Sequence, residues 1–436
     1  MPSWCATGWR SKISNTKPSI SSPAGPTPGV HTCSIAWLSA RRSRSAFWRP
    51  NHPTTTRDGG GKQAPVPGRF LANPLAGFGP SAFSGPPPRL PQRIMGRLPA
   101  VKPLIRDLLA YTLQATGITE PQRRFGDHLF IATFHRVLPE SQRRQYPLPG
   151  LAVTPEELAW FVRFFQQRFL CQRLDLAWLE YSAGKPSNLP RLAITFDDGQ
   201  LDNYLHAAPV LDSLGVSATF FIPVEAVETQ QMLWHDRMGY AIQLLKEIES
   251  QSALLVQLAH NDNQKPATPQ AGVTVAKHWP PEARLNWIKK AEATLPTTIP
   301  DWDGMMNWEQ IHDLSRRGHE IGSHSYSHPL LTQCDDSHLE REITTSKQRI
   351  EAETRSSIFS FCYPNGDHDQ RVVDAVAQAG YSLAVTTHWG SNAPGTAPHA
   401  LQRHDMVATN ASDRHGRLSS ARMAMRMTGW AQGVQR

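Results

Sequence analysis

Cysteines are few in this chain of 436 residues: Cys5, Cys33, Cys171, Cys334 and Cys362. Their number is odd, they are scattered, and no two are spaced as Cys-x-x-Cys, which excludes a disulfide framework and a thiolate zinc site. Long hydrophobic runs are missing as well. No apolar stretch reaches the roughly 18 residues that a bilayer-spanning helix needs. The N-terminus lacks the charged-then-apolar layout of a secretory signal, and the expected location is the cytoplasm. Acidic residues are almost absent from residues 1–94, where twelve Lys and Arg accompany a single acid, Asp58. That segment therefore carries +11 of a chain total of +8, which leaves −3 for residues 95–436. The folding part of the chain lacks the basic surface of a nucleic-acid binder, so no nucleic-acid partner is expected.

Proline, glycine, serine and arginine dominate residues 1–94, as in SSPAGPTPGV (21–30) and SGPPPRLPQR (84–93), without hydrophobic periodicity. Such a segment buries too little apolar surface to offset its ordering entropy and reads as a disordered basic leader. Our expectation is that Met95 is the natural start. Residues 95–127 read as a helical lead-in, 128–410 as the main domain, 229–304 as a helix-rich polar insertion within it, and 411–436 as a tail.

Six stretches within 128–410 read as strands: 128–138, 191–196, 218–224, 319–325, 358–364 and 381–387. Helical stretches separate them. TPEELAWFVRFFQQRF begins with Thr154 as N-cap, Pro155 in the first turn and Glu157 three residues on, a capping box. LDNYLHAAPVLDSLG and QRVVDAVAQAG close on Gly215 and Gly380. Strands alternating with helices point to a parallel sheet, open or closed into a barrel.

Parallel α/β folds build their sites where strands end. RLAITFDDGQ (191–200) ends an uncharged run on Asp197 and Asp198. Such a doublet can complement the dipole of a following helix. It can also hold a cation, because neighbouring carboxylates resist joint ionisation unless something positive lies between them. A second motif, GHEIGSHSYSHP (318–329), places His324 and His328 four residues apart, with Pro329 favouring a tight turn over a continuing helix. Two imidazoles and a distant carboxylate suit a divalent ion, zinc foremost, with positions left open for water and substrate.

TFDDG (195–199) followed by HEIGSHSYSH (319–328) resembles the polysaccharide deacetylases, carbohydrate esterase family four, which share a chitooligosaccharide-deacetylase homology domain. TFHRVLP (133–139) and the segment 306–329 are similar to that family's flanking segments, and the resemblance covers roughly residues 128–405. It implies a distorted (β/α) barrel with fewer than eight repeats. It implies a metal triad of Asp198, His324 and His328, with Asp197 as the general base. The family's third motif carries an arginine ahead of Pro-x-Gly. Here FCYPNG (361–366) has Cys362 at that place, so either another cation, Arg403, substitutes or the base is weaker or idle. Cys362 itself reads as buried filler.

Tyr363, Pro364 and Asn365 would then face substrate, with the Asn365 amide in the oxyanion hole. PHALQRHDMV (398–407) offers His404, and after it His399, as the acid. Trp389 would wall the sugar. The resemblance implies a metal-dependent hydrolase that removes N-acetyl groups from an N-acetylated carbohydrate. Two alternatives stay open: a non-catalytic carbohydrate-binding protein on the same fold, and hydrolysis of another non-peptide carbon–nitrogen bond. Oligomeric state is not readable from the sequence.

Overall fold

The computed structural model of the chain describes residues 101–248, 252–258, 266, 268–296 and 299–430, all within the compact unit Pro87–Arg436. The leader expected over residues 1–94 lies outside the described residues, as do residues 431–436 of the expected tail. In chain order the strands are β1 (Leu129–Phe134), β2 (Arg136–Val137), β3 (Ala152–Val153), β4 (Leu170–Gln172), β5 (Arg191–Phe196), β6 (Thr219–Ile222), β7 (Glu320–Ser323), β8 (Ser360–Cys362), β9 (Leu383–Trp389) and β10 (Leu401–Asp405).

Seven of these strands close a parallel barrel. β1 pairs with β5 along its whole length and with β10 on its other side, and β6, β7, β8 and β9 complete the circle. β4 lies beside the first half of β5, while β2 and β3 pair with each other. The fold is thus the expected (β/α) barrel of fewer than eight repeats. All six strands read from the sequence are present.

β1 and β5 are buried at every position, as strands covered on both faces must be. Parity still decides which way each residue packs. Leu129, Ile131, Ala193, Val385 and Leu401 form the cluster inside the barrel, together with Leu174 and Ala177 of the helix Leu174–Ser182. Phe130, Phe134, Ile194 and Phe196 belong to the outer core with Phe161 and Phe165, which come from the helix Pro155–Gln166. That helix starts with the expected capping box, Thr154 and Glu157 each bonding the other's backbone N–H.

The insertion carries the helices Trp234–Leu245, Ser252–Val256, Pro269–Ala276 and Pro281–Thr294. It is helix-rich as expected, yet it is more than a polar addition. Met238, Ile242, Val273, Trp287 and Ile288 build a second apolar core. A buried polar network ties it to the barrel mouth. Arg136 donates to Asp202 at 2.6 Å and to Asp303, Tyr146 and Tyr240 donate to Asp236 and Asp303 at 2.6 Å each, and Gln200 donates to Asp236 at 2.7 Å. Ions and hydroxyls linked this densely favour one geometry.

Residues 411–430 are not a free tail. The helix Ser420–Met427 packs on the helix Val101–Ala115 through Ala110, Leu113, Ala421 and Met425. No described helix is long and apolar enough to cross a membrane.

Candidate active site

β5 delivers the acidic doublet. Residues 193, 195 and 197 share one face of the strand, so Asp197 turns toward the barrel interior, its N–H bonded to the Phe134 carbonyl at 3.1 Å. Asp198 leaves the strand with φ at +74°, and Gly199 follows at +63°. A left-handed backbone is uncommon outside glycine, though Asp and Asn tolerate it better than most. Two such residues in succession swing the Asp198 carboxylate away from that of Asp197. At Gly199 a Cβ would also lie 3.0 Å from the Pro223 ring.

β7 delivers the histidines. His324 follows the strand directly and donates its N–H to the Ile222 carbonyl at 3.0 Å. The chain then turns tightly through Ser325 and His328, both left-handed, in place of a helix. Glu342 pins this turn by accepting from the N–H groups of Tyr326 and Ser327 at 3.0 and 2.8 Å. Nε2 of His324 and Nε2 of His328 each stand 3.3 Å from Asp198 Oδ1. His324 Nδ1 lies 2.8 Å from the Cys362 carbonyl, so that nitrogen carries a proton and Nε2 is the atom an ion would take. The three donors lie within 4.8 Å of one another, all buried. Burial pushes the Asp198 carboxyl up, but bonds from the two histidines outweigh it and hold it well below its usual range. As a donor set the three groups fit a divalent transition metal.

Arg403 supplies the positive charge missing at Cys362. It reaches Asp197 with both terminal nitrogens, Nη1 to Oδ1 at 2.8 Å and Nη2 to Oδ2 at 2.7 Å. Its Nε donates to the Thr386 carbonyl at 2.7 Å and its Nη1 to Thr133 Oγ1 at 2.9 Å. Burial raises the Asp197 carboxyl, and the guanidinium overcomes this to bring it below its usual range. The Cys362 thiol is pushed up by burial and sits 3.5 Å from Asp197 Oδ2. It is a thiol donor and not a nucleophile.

A cavity of about 110 Å³ opens over these groups. Asp197, Asp198, His324 and His328 border it, with Tyr363 and Asn365 on one wall. Pro364 is buried and shapes the Pro364–Gly366 turn without bordering the cavity, so it has no direct contact to offer a substrate there. Gly366 is required in that turn, since with φ at +75° an added Cβ would fall 2.1 Å from Thr387 Oγ1.

His404 is not at the site. Strand parity sends it outward while its neighbour Arg403 points in. Its ring stacks on Phe130 at 5.4 Å, neither nitrogen has a partner among the described residues, and burial drives its pKa down to about 3. Trp389 stands edge-on to His404 at 4.7 Å and does not border the cavity. His399 donates to the Tyr381 carbonyl at 2.8 Å, also away from the cavity.

Three cavity residues were missed in the sequence. His135, at the end of β1, places Nε2 3.8 Å from Asp197 Oδ2. His235, from the insertion, stands 3.7 Å from Asp198 Oδ2 and 3.6 Å from Asp236 Oδ2. Lys277, also from the insertion, touches Asn365 Oδ1. TFHRVLP contained a signal for His135; nothing in the sequence singled out the other two.

The family model described as polysaccharide deacetylase matches residues 184–384. No curated protein matches the chain. Among solved structures, the Streptococcus pyogenes deacetylase PplD in complex with acetate is 15% identical, with 69% of this chain and 98% of that chain covered at a TM-score of 0.47. IcaB from Ammonifex degensii is 19% identical, with 70% and 97% covered at 0.44. The BpsB deacetylase domain from Bordetella bronchiseptica is 16% identical, with 64% and 96% covered at 0.41.

Proposed function

We propose that the chain belongs to the polysaccharide deacetylase family, whose model matches residues 184–384, hydrolases of non-peptide carbon–nitrogen bonds, and that it cleaves the acetamide of an N-acetylated sugar at the cluster around Asp198, giving acetate and a free amine. One observation carries the reading: a single carboxylate oxygen of Asp198 lies 3.3 Å from two imidazole nitrogens, beside a second carboxylate gripped by Arg403. Asp198, His324 and His328 would hold the divalent ion, zinc in our reading. When bound, such an ion lowers the pKa of a water toward about 7 and polarises the acetyl carbonyl.

The chain's own residues do the rest. Asp197, oriented by Arg403, takes a proton from the attacking water. The Asn365 N–H, on a residue with φ at +58°, is our choice for the developing oxyanion, a contact commonly worth about 3–4 kcal/mol. The departing nitrogen needs a proton, because an amide anion is too poor a leaving group. With His404 outside the site, His135 is the donor: it borders the cavity and faces Asp197.

His135→Gln keeps a polar group of similar size and removes the transferable proton. It should lower kcat/KM by about a hundredfold or more. An unchanged kcat/KM would remove His135 from this role. Incubation with N-acetylglucosamine oligosaccharides, read by mass spectrometry for free-amine product, tests the activity itself. A binding protein without turnover, the reading that Cys362 motivates, would retain the acetyl groups. The presence of Arg403 in place of the missing arginine speaks against that reading.

A further inference from the structure

The insertion helix Pro269–Ala276 and the residue after it present Gln270, Val273 and Lys277 to the cavity, three and four residues apart and so on one helix face. Lys277 is part-buried, and its ammonium contacts the amide oxygen of Asn365. No carboxylate among the described residues forms an ion pair with it. Asp367 accepts a bond from Asn365 Nδ2 at 2.8 Å instead. The two fully buried cations beside the site are treated differently: Arg136 and Arg403 each meet a carboxylate, at 2.6 and 2.7 Å, while Arg284 is held by the carbonyls of Lys277 and Trp279. Burial pulls the Lys277 ammonium below its usual range, with Asp367 and Asp198 partly opposing this.

A charge kept in a half-dry cavity with only a neutral partner is poorly compensated. Leu148, Leu151, Trp234 and Val273 make the neighbouring wall apolar, suited to the face of a sugar ring and offering the ammonium nothing. We propose that Lys277 binds an anionic group, a carboxylate or a phosphate, carried by the N-acetylated sugar. This deepens the deacetylase reading and rests on it. The insertion then does more than close over the site: it selects acidic sugars over neutral ones.

Calorimetric binding to the full chain tests this without turnover. The protein is treated with chelator first, so that the anion cannot bind an ion instead. The probes are N-acetylglucosamine, its 1-phosphate and N-acetylmuramic acid, which separate phosphate from carboxylate. At least one anionic sugar should bind about tenfold or more tightly than the neutral one, as expected of a charge-assisted hydrogen bond. Lys277→Met should remove the preference and Lys277→Arg should keep most of it. Because preference is a ratio within one protein, a general loss of folding does not imitate the result. Equal binding of all three sugars to the wild type, or a preference that survives Lys277→Met, overturns the assignment. Failure of acetate release with the preference intact would instead count against the deacetylase reading alone.

Discussion

Asp198→Ala should strip the protein of its divalent ion and of acetate release together. Among the described residues Asp198 Oδ1 is the one carboxylate oxygen paired with both His324 and His328, so its removal leaves two neutral imidazoles to hold a doubly charged ion in a buried place. Ions of this kind supply several kcal/mol of transition-state stabilisation. At about 1.4 kcal/mol per tenfold, acetate release should fall by on the order of a thousandfold or more. Alanine is also less at ease than aspartate at φ +74°. Asp198→Asn, which suits that backbone, separates loss of the ion from loss of the fold. Asp197→Asn makes the contrast, since it should keep the metal, measured by elemental analysis of the purified protein, and lose the activity. A fully metallated Asp198→Ala protein would break the assignment of the triad.

Arg403→Met is the second large effect. It leaves the buried Asp197 carboxylate with no guanidinium, and breaking a buried pair from one side costs about 3–5 kcal/mol, readable by denaturant unfolding. The pH dependence has a definite sign. In the wild type the Asp197 carboxyl lies below its usual range, because Arg403 outweighs burial. The pair's contribution to stability is therefore complete at neutral pH and disappears only as pH drops through that lowered value. In the variant the largest influence opposing burial is gone, so the carboxyl rises and the folded state holds its proton more readily. The stability deficit should grow as pH rises from mildly acidic to neutral. Acetate release should fall with it, and Arg403→Lys should restore little, since an ammonium cannot grip both carboxylate oxygens. A variant as stable and as active as the wild type would show that Asp197 does not depend on Arg403.

The residues legible in the sequence were those whose chemistry is local. TFDDG and HSYSH each place their groups within five residues at a strand end, and the fold has only to bring two strand ends together. Arg403 could be named as a substitute for the arginine absent at Cys362, but its reach to Asp197 depends on β10 lying beside β1, across 206 residues of chain. The error at His404 has the same origin. One residue of register on β10 decides whether Arg403 or His404 faces the interior, and the sequence of that strand, alternating without a strong apolar pattern, did not reveal the choice. Trp389 went with it, drawn to the outer side against the same imidazole. His235 and Lys277 were illegible for another reason. They reach the cavity through the docking of an insertion whose position is set by the Arg136, Asp236 and Asp303 network, and no short motif encodes a contact of that kind.

The most direct test is a titration of acetate release against added zinc in chelator-treated protein. The account predicts no release at the start and a rise that levels off at one ion per chain. Undiminished release after the ion has been removed would contradict it.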